Sequence, residues 1–250
     1  MTGGPVPALV QLKPGNAQPP VFMTHGLGGS AMDFLQIAKH IQTPRAMFGI
    51  QAKGIDGADE PQDRIEDMAR FSLDAIRQVQ PQGPYSLIGF SLGGLVTLEM
   101  AQQLIAQGET IGLLAMLDSY PHVSSLTGGQ LIRLSARRNW RRVARRLGWL
   151  GINPPSETTA EVQHSRPLQK FRDASYVALE RYRPQFYSGT IEFVRAAIPT
   201  DFPADPTAVW GHLAREFHLK TVPGDHLGMM TTHFESLASV VSDLIASAPE

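Results

Sequence analysis

Short apolar runs recur along the first half of the chain, separated by polar or glycine-bearing breaks, and each has the length of a strand rather than a helix. Ala8 to Leu12, Val21 to Thr24, Ala46 to Ala52, Tyr85 to Phe90 and Ile111 to Leu117 read as strands. Between them, helical spacing of apolar residues starts near Ser30, near Asp63 and at Gly94. The run ending at Leu117 is apolar throughout, as expected of a strand buried on both faces of a parallel sheet. Further on, a strand from Thr190, a helix near Asp205, a strand from Phe217 and a closing helix from about Thr232 restore the alternation. Strands alternating with helices predict an α/β fold, a mostly parallel sheet covered on both faces. Residues 122–188 interrupt the order as an insertion, and we draw no second domain boundary within 1–250.

The insertion has its own pattern. Between Leu131 and Leu150, Ile132, Ala136, Trp140, Val143, Ala144 and Leu147 recur at helical spacing. Arg137, Arg138, Arg141, Arg142, Arg145 and Arg146 fall on the other side at roughly 100° per residue. No acid occurs between Asp118 and Glu157 to neutralise them. This face reads either as a solvated helix surface or as a docking surface for an acidic partner, with an anionic membrane surface as the lesser alternative. A second helix around Phe171 to Tyr182 is expected to pack against the rest of the insertion, with Tyr176, Leu179 and Tyr182 in its core.

Composition narrows the classes without choosing among them. A chain of 250 residues with 42% hydrophobic content can bury one large core. The absence of cysteine excludes disulfides and thiolate chemistry. A formal charge of -1 gives no general attraction to nucleic acid. With no leader-like start and no apolar run of spanning length, a soluble cytoplasmic protein is expected.

Chemistry enters at Gly89-Phe90-Ser91-Leu92-Gly93, which follows a buried strand and opens a helix. In that setting the glycines permit a sharp turn that exposes the Ser91 hydroxyl. A serine needs a base, an acid to orient the base, and donors for the developing oxyanion. His226 follows the late strand in Pro223-Gly224-Asp225-His226 and is the candidate base; His233, at the start of the last helix, is the rival. Asp118 ends the apolar strand at its carboxyl end, where catalytic groups gather in open α/β sheets, and is favoured as the acid over Asp201 and Asp205. Asp225 is adjacent to His226, which usually directs the two side chains apart. Phe22-Met23-Thr24-His25-Gly26-Leu27-Gly28-Gly29-Ser30 is a second strand-to-helix passage through glycines, and the backbone N–H groups of Leu27 and Leu92 are candidate oxyanion donors. His25 is read as a structural hydrogen-bonding residue.

These stretches, together with Phe48 to Gly57, Pro81 to Tyr85, Leu117 to Pro121 and Tyr182-Arg183-Pro184, resemble the thioesterase domains of non-ribosomal peptide and polyketide synthases. The resemblance runs from Pro20 to about Met230 and is weakest between His122 and about Lys170, where such enzymes carry a variable lid. It implies an α/β-hydrolase fold with a helical lid inserted after the sixth strand. It also implies a Ser91, Asp118, His226 triad, oxyanion N–H groups from Leu27 and Leu92, and no metal or organic cofactor. The implied substrate is an acyl or peptidyl chain on the phosphopantetheine arm of an acyl or peptidyl carrier protein, which the six arginines could dock. An acid after the sixth strand is the pattern of the chain-releasing enzymes; editing thioesterases usually place it one strand later. The chain departs from many relatives in having Gly26 where they carry proline. The start at Met1, with no carrier domain before it, favours a free-standing enzyme over an excised domain. The remaining alternatives are a carboxylesterase or lipase on small free esters and a catalytically idle binding protein on the same fold.

Overall fold

The central strands of the sheet carry apolar residues at successive positions, so both of its faces are buried there. The computed structural model describes residues 7–122, 165–199, 203 and 205–249. Among these, β1 (Leu9–Lys13), β2 (Ala17–Thr24), β3 (Arg45–Ile50), β4 (Tyr85–Phe90), β5 (Ile111–Leu117), β6 (Tyr187–Ala196) and β7 (Ala214–Val222) form one sheet. Their order is β1-β3-β2-β4-β5-β6-β7, with β1 antiparallel to β3 and every other pair parallel. Side chains alternate between faces along a strand. Phe22, Leu87, Met116 and Phe193 join the core beneath α2 (Ile65–Ile76), α3 (Leu92–Ala106) and α4 (Arg166–Arg181). Their neighbours Met23, Ile88, Ala115 and Val194 join the opposite core, beneath α1 (Leu35–His40) and α7 (Phe234–Ser247). Burying each such large side chain contributes about 1.5–3 kcal/mol. No helix among the described residues is long and apolar enough to cross a membrane.

The strand order places the site. From β2 the chain moves outward to β3, then returns to lay β4 on β2's other edge. A crevice opens at the carboxyl ends of two strands where the order reverses in this way. The passage after β2 and the turn after β4 therefore meet. Gly93 is what lets them touch, because a Cβ there would lie 2.2 Å from the Thr24 carbonyl oxygen and 2.4 Å from that of His25.

Several boundaries differ from the sequence reading. β2 begins at Ala17 rather than Val21, where Pro19 and Pro20 mask the strand because proline cannot donate to a ladder. β6 and β7 each start three residues earlier than read, at Tyr187 and Ala214. Tyr187 and Ala214 are buried, but the residues that follow them, Ser188-Gly189 and Arg215-Glu216, are small or polar and hide the strand starts. Asp118 and the insertion follow the fifth strand of this sheet, one fewer than the family's count. Of the insertion, α4 is described, whereas all six arginines from Arg137 to Arg146 lie outside the described residues. Pro167 sits in the first turn of α4, and the helix stops at Arg181 because Pro184 disfavours helical backbone at Arg183. Phe171, Ser175, Ala178 and Tyr182 form its buried stripe, with Leu179 packed partly against it. Tyr176 is not in that core: it is 51% exposed, one position off the stripe and turned outward.

Candidate active site

Ser91 stands alone between the end of β4 and the start of α3, so one residue must reverse the chain. It does so with φ 55° and ψ -119°, a conformation that non-glycine residues seldom adopt. Gly89 tolerates the turn because a Cβ there would come within 2.2 Å of the Gly93 carbonyl oxygen. Contacts from other elements hold the strained residue. The Ser91 N–H donates to the Leu117 carbonyl at 3.0 Å, and the Ser91 carbonyl accepts from Ser119 Oγ at 2.6 Å. Trp210, fully buried at the end of α5 (Pro206–Trp210), donates its indole N–H to the Ser119 carbonyl at 3.0 Å. Ser119 and Trp210 are supports that the sequence reading missed, because neither belongs to a local pattern.

His226 reaches Ser91 from the loop between β7 and α6 (Gly228–Thr231). Its Nε2 lies 3.0 Å from Ser91 Oγ and its Nδ1 lies 2.8 Å from Asp118 Oδ2. A carboxylate only accepts, so Nδ1 carries the proton, and Nε2 is left to accept from the serine hydroxyl. The ring stacks on Phe90 with centroids 4.7 Å apart, which fixes its plane. Asp118 is buried, with φ 45°. Its N–H donates to the Val194 carbonyl at 2.8 Å, and its Oδ1 accepts from the Ala196 N–H at 3.3 Å. Both carboxylate oxygens are thus engaged, one of them on the imidazole.

The other acids have different partners. Asp205 caps α5, accepting from the N–H groups of Thr207 and Ala208. Asp225 turns away from His226 and accepts from the Gly228 N–H at 2.7 Å. Asp201 lies outside the described residues. His233 stands just before α7 with its ring against Gly224 and does not line the cleft.

The passage after β2 is organised around one carbonyl. Gly26 C=O accepts from the Gly29 N–H at 3.1 Å and from His25 Nδ1–H at 2.8 Å. A trans peptide directs its N–H opposite to its C=O, so pinning this carbonyl aims the Leu27 N–H to the other side of the plane. Leu92 is the first residue of α3, where the backbone N–H has no partner within the helix. His25 is buried beside Phe171, and desolvation lowers its pKa to about 4, so it is neutral at pH 7.

Ser91 and His226 open onto a cleft of about 570 Å³. Gly26, Leu27 and Gly28 form one wall, Leu227 and Met230 another, and Leu168 and Arg172 arrive from α4. Asp33, in the single 3-10 turn Ala31–Phe34, also lines it. No cluster of three or more histidines, aspartates or glutamates able to hold a metal occurs among the described residues. A hydroxyl joined to a base, the base joined to an acid, and backbone N–H groups on the facing loop form an arrangement suited to acyl transfer through a serine adduct.

Comparison with known proteins points the same way. Residues 19–245 match the family model described as the thioesterase domain. The dimodular nonribosomal peptide synthase of Bacillus subtilis (strain 168) is 42% identical over 114 residues, 46% of this chain and 5% of that one. The chain spans 3% to 8% of the length of the first curated synthetases it matches. Among solved structures, the type II thioesterase BorB from the borrelidin biosynthetic cluster superposes with TM-score 0.71 at 19% identity, covering 95% of this chain and 97% of that one. The NocB thioesterase domain, in covalent complex with a fluorophosphonate nocardicin G analog, superposes with TM-score 0.69 at 21% identity, covering 95% and 99%.

Proposed function

The chain belongs to the thioesterase domain family found in nonribosomal peptide and polyketide synthases, and from that premise we propose that it is a serine thioesterase releasing an acyl, polyketide or peptidyl chain from a carrier protein's phosphopantetheine thioester. The observation that carries this reading is the hydrogen-bonded relay from Ser91 Oγ through His226 to Asp118, at 3.0 and 2.8 Å, in the wall of an open cleft. Residues 1–250 act as one domain, with residues 122–188 as an insertion within it.

In the first half-reaction Ser91 Oγ attacks the thioester carbonyl carbon while His226 Nε2 takes the hydroxyl proton. The carbonyl oxygen becomes an oxyanion, stabilised by the N–H groups of Leu27 and Leu92. Asp118 holds the tautomer and stabilises the imidazolium. Collapse breaks the C–S bond, His226 returns its proton to the sulfur, and the carrier's free thiol departs, leaving the acyl group on Ser91. In the second half-reaction water, or a hydroxyl or amine of the chain itself, attacks the ester carbonyl carbon as His226 takes its proton; collapse then breaks the acyl C–O bond to Ser91, and His226 returns the proton to Ser91 Oγ. Hydrolysis or cyclisation follows from which nucleophile arrives.

A fluorophosphonate probe should attach to Ser91, detectable as added mass on the peptide containing it, and Ser91→Ala should abolish both labelling and thioester turnover while the thermal unfolding midpoint stays in place. Absence of labelling in the wild type would remove the mechanism. Efficient cleavage of small oxygen esters with no preference for carrier-linked or coenzyme A thioesters would establish a carboxylesterase instead.

A further inference from the structure

Asp33 is the one carboxylate among the described residues lining the cleft that holds Ser91 and His226, apart from the engaged relay itself. It follows the oxyanion loop by a few residues and lies directly against it. A Cβ on Gly28 would come within 2.6 Å of Asp33 Oδ2, so glycine at that position is what admits the carboxylate to the wall. Neighbouring acids are occupied: Asp118 by His226 and the Ala196 N–H, Asp225 by the Gly228 N–H. Asp33 is different. Its carboxylate makes no hydrogen bond or ion pair with any described residue, Arg172 across the cleft included.

Its neighbours along the wall are largely apolar, while the Asp33 side chain itself is exposed to the cleft. Leu27, Leu168, Leu227 and Met230 line the same cleft. Nearby protein atoms displace part of its hydration, which raises the carboxyl's pKa from its ordinary value. A carboxylate exposed on a cleft wall without a protein partner is open to a bound group that carries a counter-charge and donates hydrogen bonds to it. The capping role open to an acid at this point of a turn is already filled, since Ser30 Oγ accepts from the Met32 N–H. An acyl carbonyl held at the Leu27 N–H has Gly28 and then Asp33 beside it along this wall.

We propose that Asp33 is a specificity subsite for a cationic group, an amine or a guanidinium, carried on the acyl chain. The inference rests on the thioesterase reading and deepens it, since it assigns the charge of the chain released.

The test uses two N-acetylcysteamine thioesters matched in size and differing in charge, ω-guanidinohexanoyl and its neutral ω-ureidohexanoyl counterpart. Dissociation constants are measured on the Ser91→Ala protein, where no turnover occurs, and kcat/KM on the wild type. The guanidino compound should bind about tenfold tighter than the ureido compound, in keeping with a charge-assisted hydrogen bond. Asp33→Asn, added to Ser91→Ala, should bring the ratio close to one, and Asp33→Lys should invert it. Equal affinities in the Ser91→Ala protein, or a preference that survives Asp33→Asn and Asp33→Lys, would overturn the subsite. The two readings fail separately. A charge preference that depends on Asp33, in a wild type that cleaves neither thioester, would support the subsite and sink the hydrolase; cleavage of both with equal affinities would do the reverse.

Discussion

At the scale of single residues, protonation and orientation decide what the site can do. Neutral His25 is the form the fold selects, its pKa lowered from 6.5 to about 4 by burial. Between those values the folded protein binds fewer protons than the unfolded chain. The stability tied to neutral His25 is therefore complete above about pH 6.5 and is lost as pH falls towards 4, by on the order of 2–3 kcal/mol. Urea unfolding at pH 7, 5.5 and 4.5 should show a smaller decline for His25→Asn, whose amide can still donate to the Gly26 carbonyl but does not titrate. Parallel declines would mean that another group carries the acid sensitivity. Orientation is tested at the acids. Asp118→Asn should lower kcat/KM by about a thousandfold or more, because the amide no longer enforces the imidazole tautomer that accepts the serine proton. Asp205→Asn and Asp225→Asn should remain within a few-fold of wild type, since each accepts only from helix-terminal N–H groups. A severe loss at Asp205 with a mild one at Asp118 would move the acid to the later strand.

At the scale of elements, the geometry of Ser91 depends on how closely α3 is set against the ends of β2 and β4. Gly93 allows the first contact and Gly94 faces Ser119, where a Cβ would lie 2.4 Å from the serine's Cβ. Gly93→Ala has to push α3 off rigid backbone rather than a movable side chain. It should cost about 3 kcal/mol or more, at the upper end of overpacking effects, and should lower activity even where the protein remains folded. Denaturant midpoints and serine-probe labelling rates measure the two effects independently. An unchanged midpoint would show that the helix can shift without loss. α4 contributes in another way: Phe171 packs edge-on against His25 with ring centroids 5.5 Å apart, while Leu168 and Arg172 from the same helix line the cleft. α4 is thereby anchored to the loop that aims the Leu27 N–H.

At the scale of the whole molecule, the strand order creates the crevice, and the charge pattern of the chain sets a test of what approaches it. The basic stripe from Arg137 to Arg146 belongs to the insertion, and a carrier domain is the acidic partner proposed for it. Reversing Arg141, Arg142 and Arg145 to Glu should slow release from a carrier-linked chain, chiefly through the association rate, and leave turnover of a small soluble thioester nearly unchanged. Attraction between exposed charges is screened within about 10 Å at 0.1 M salt, so wild-type release from the carrier should also slow as salt rises, and the reversed protein should have little salt dependence left. Equal losses on both substrates would place the damage in the cleft, and no loss on either would make the stripe a solvated face.

Much of this was legible in the chain because it is local. Alternating strands and helices, the glycines around Ser91, and an aspartate closing an apolar strand all depend on neighbours within a few positions, the range over which side-chain periodicity reports burial. Those patterns were enough to name Ser91, Asp118 and His226 as candidates and to predict the α/β architecture. They favoured Asp118 among the acids but could not show its contact with His226, which joins positions 108 apart and exists only once β5 and β7 share a sheet. Nor could they find the Ser119 and Trp210 supports, the outward turn of Tyr176, or Asp33 in the cleft wall. Each of these is a property of packed surfaces, set when the strand order brings distant segments together, and no spacing along the chain encodes it.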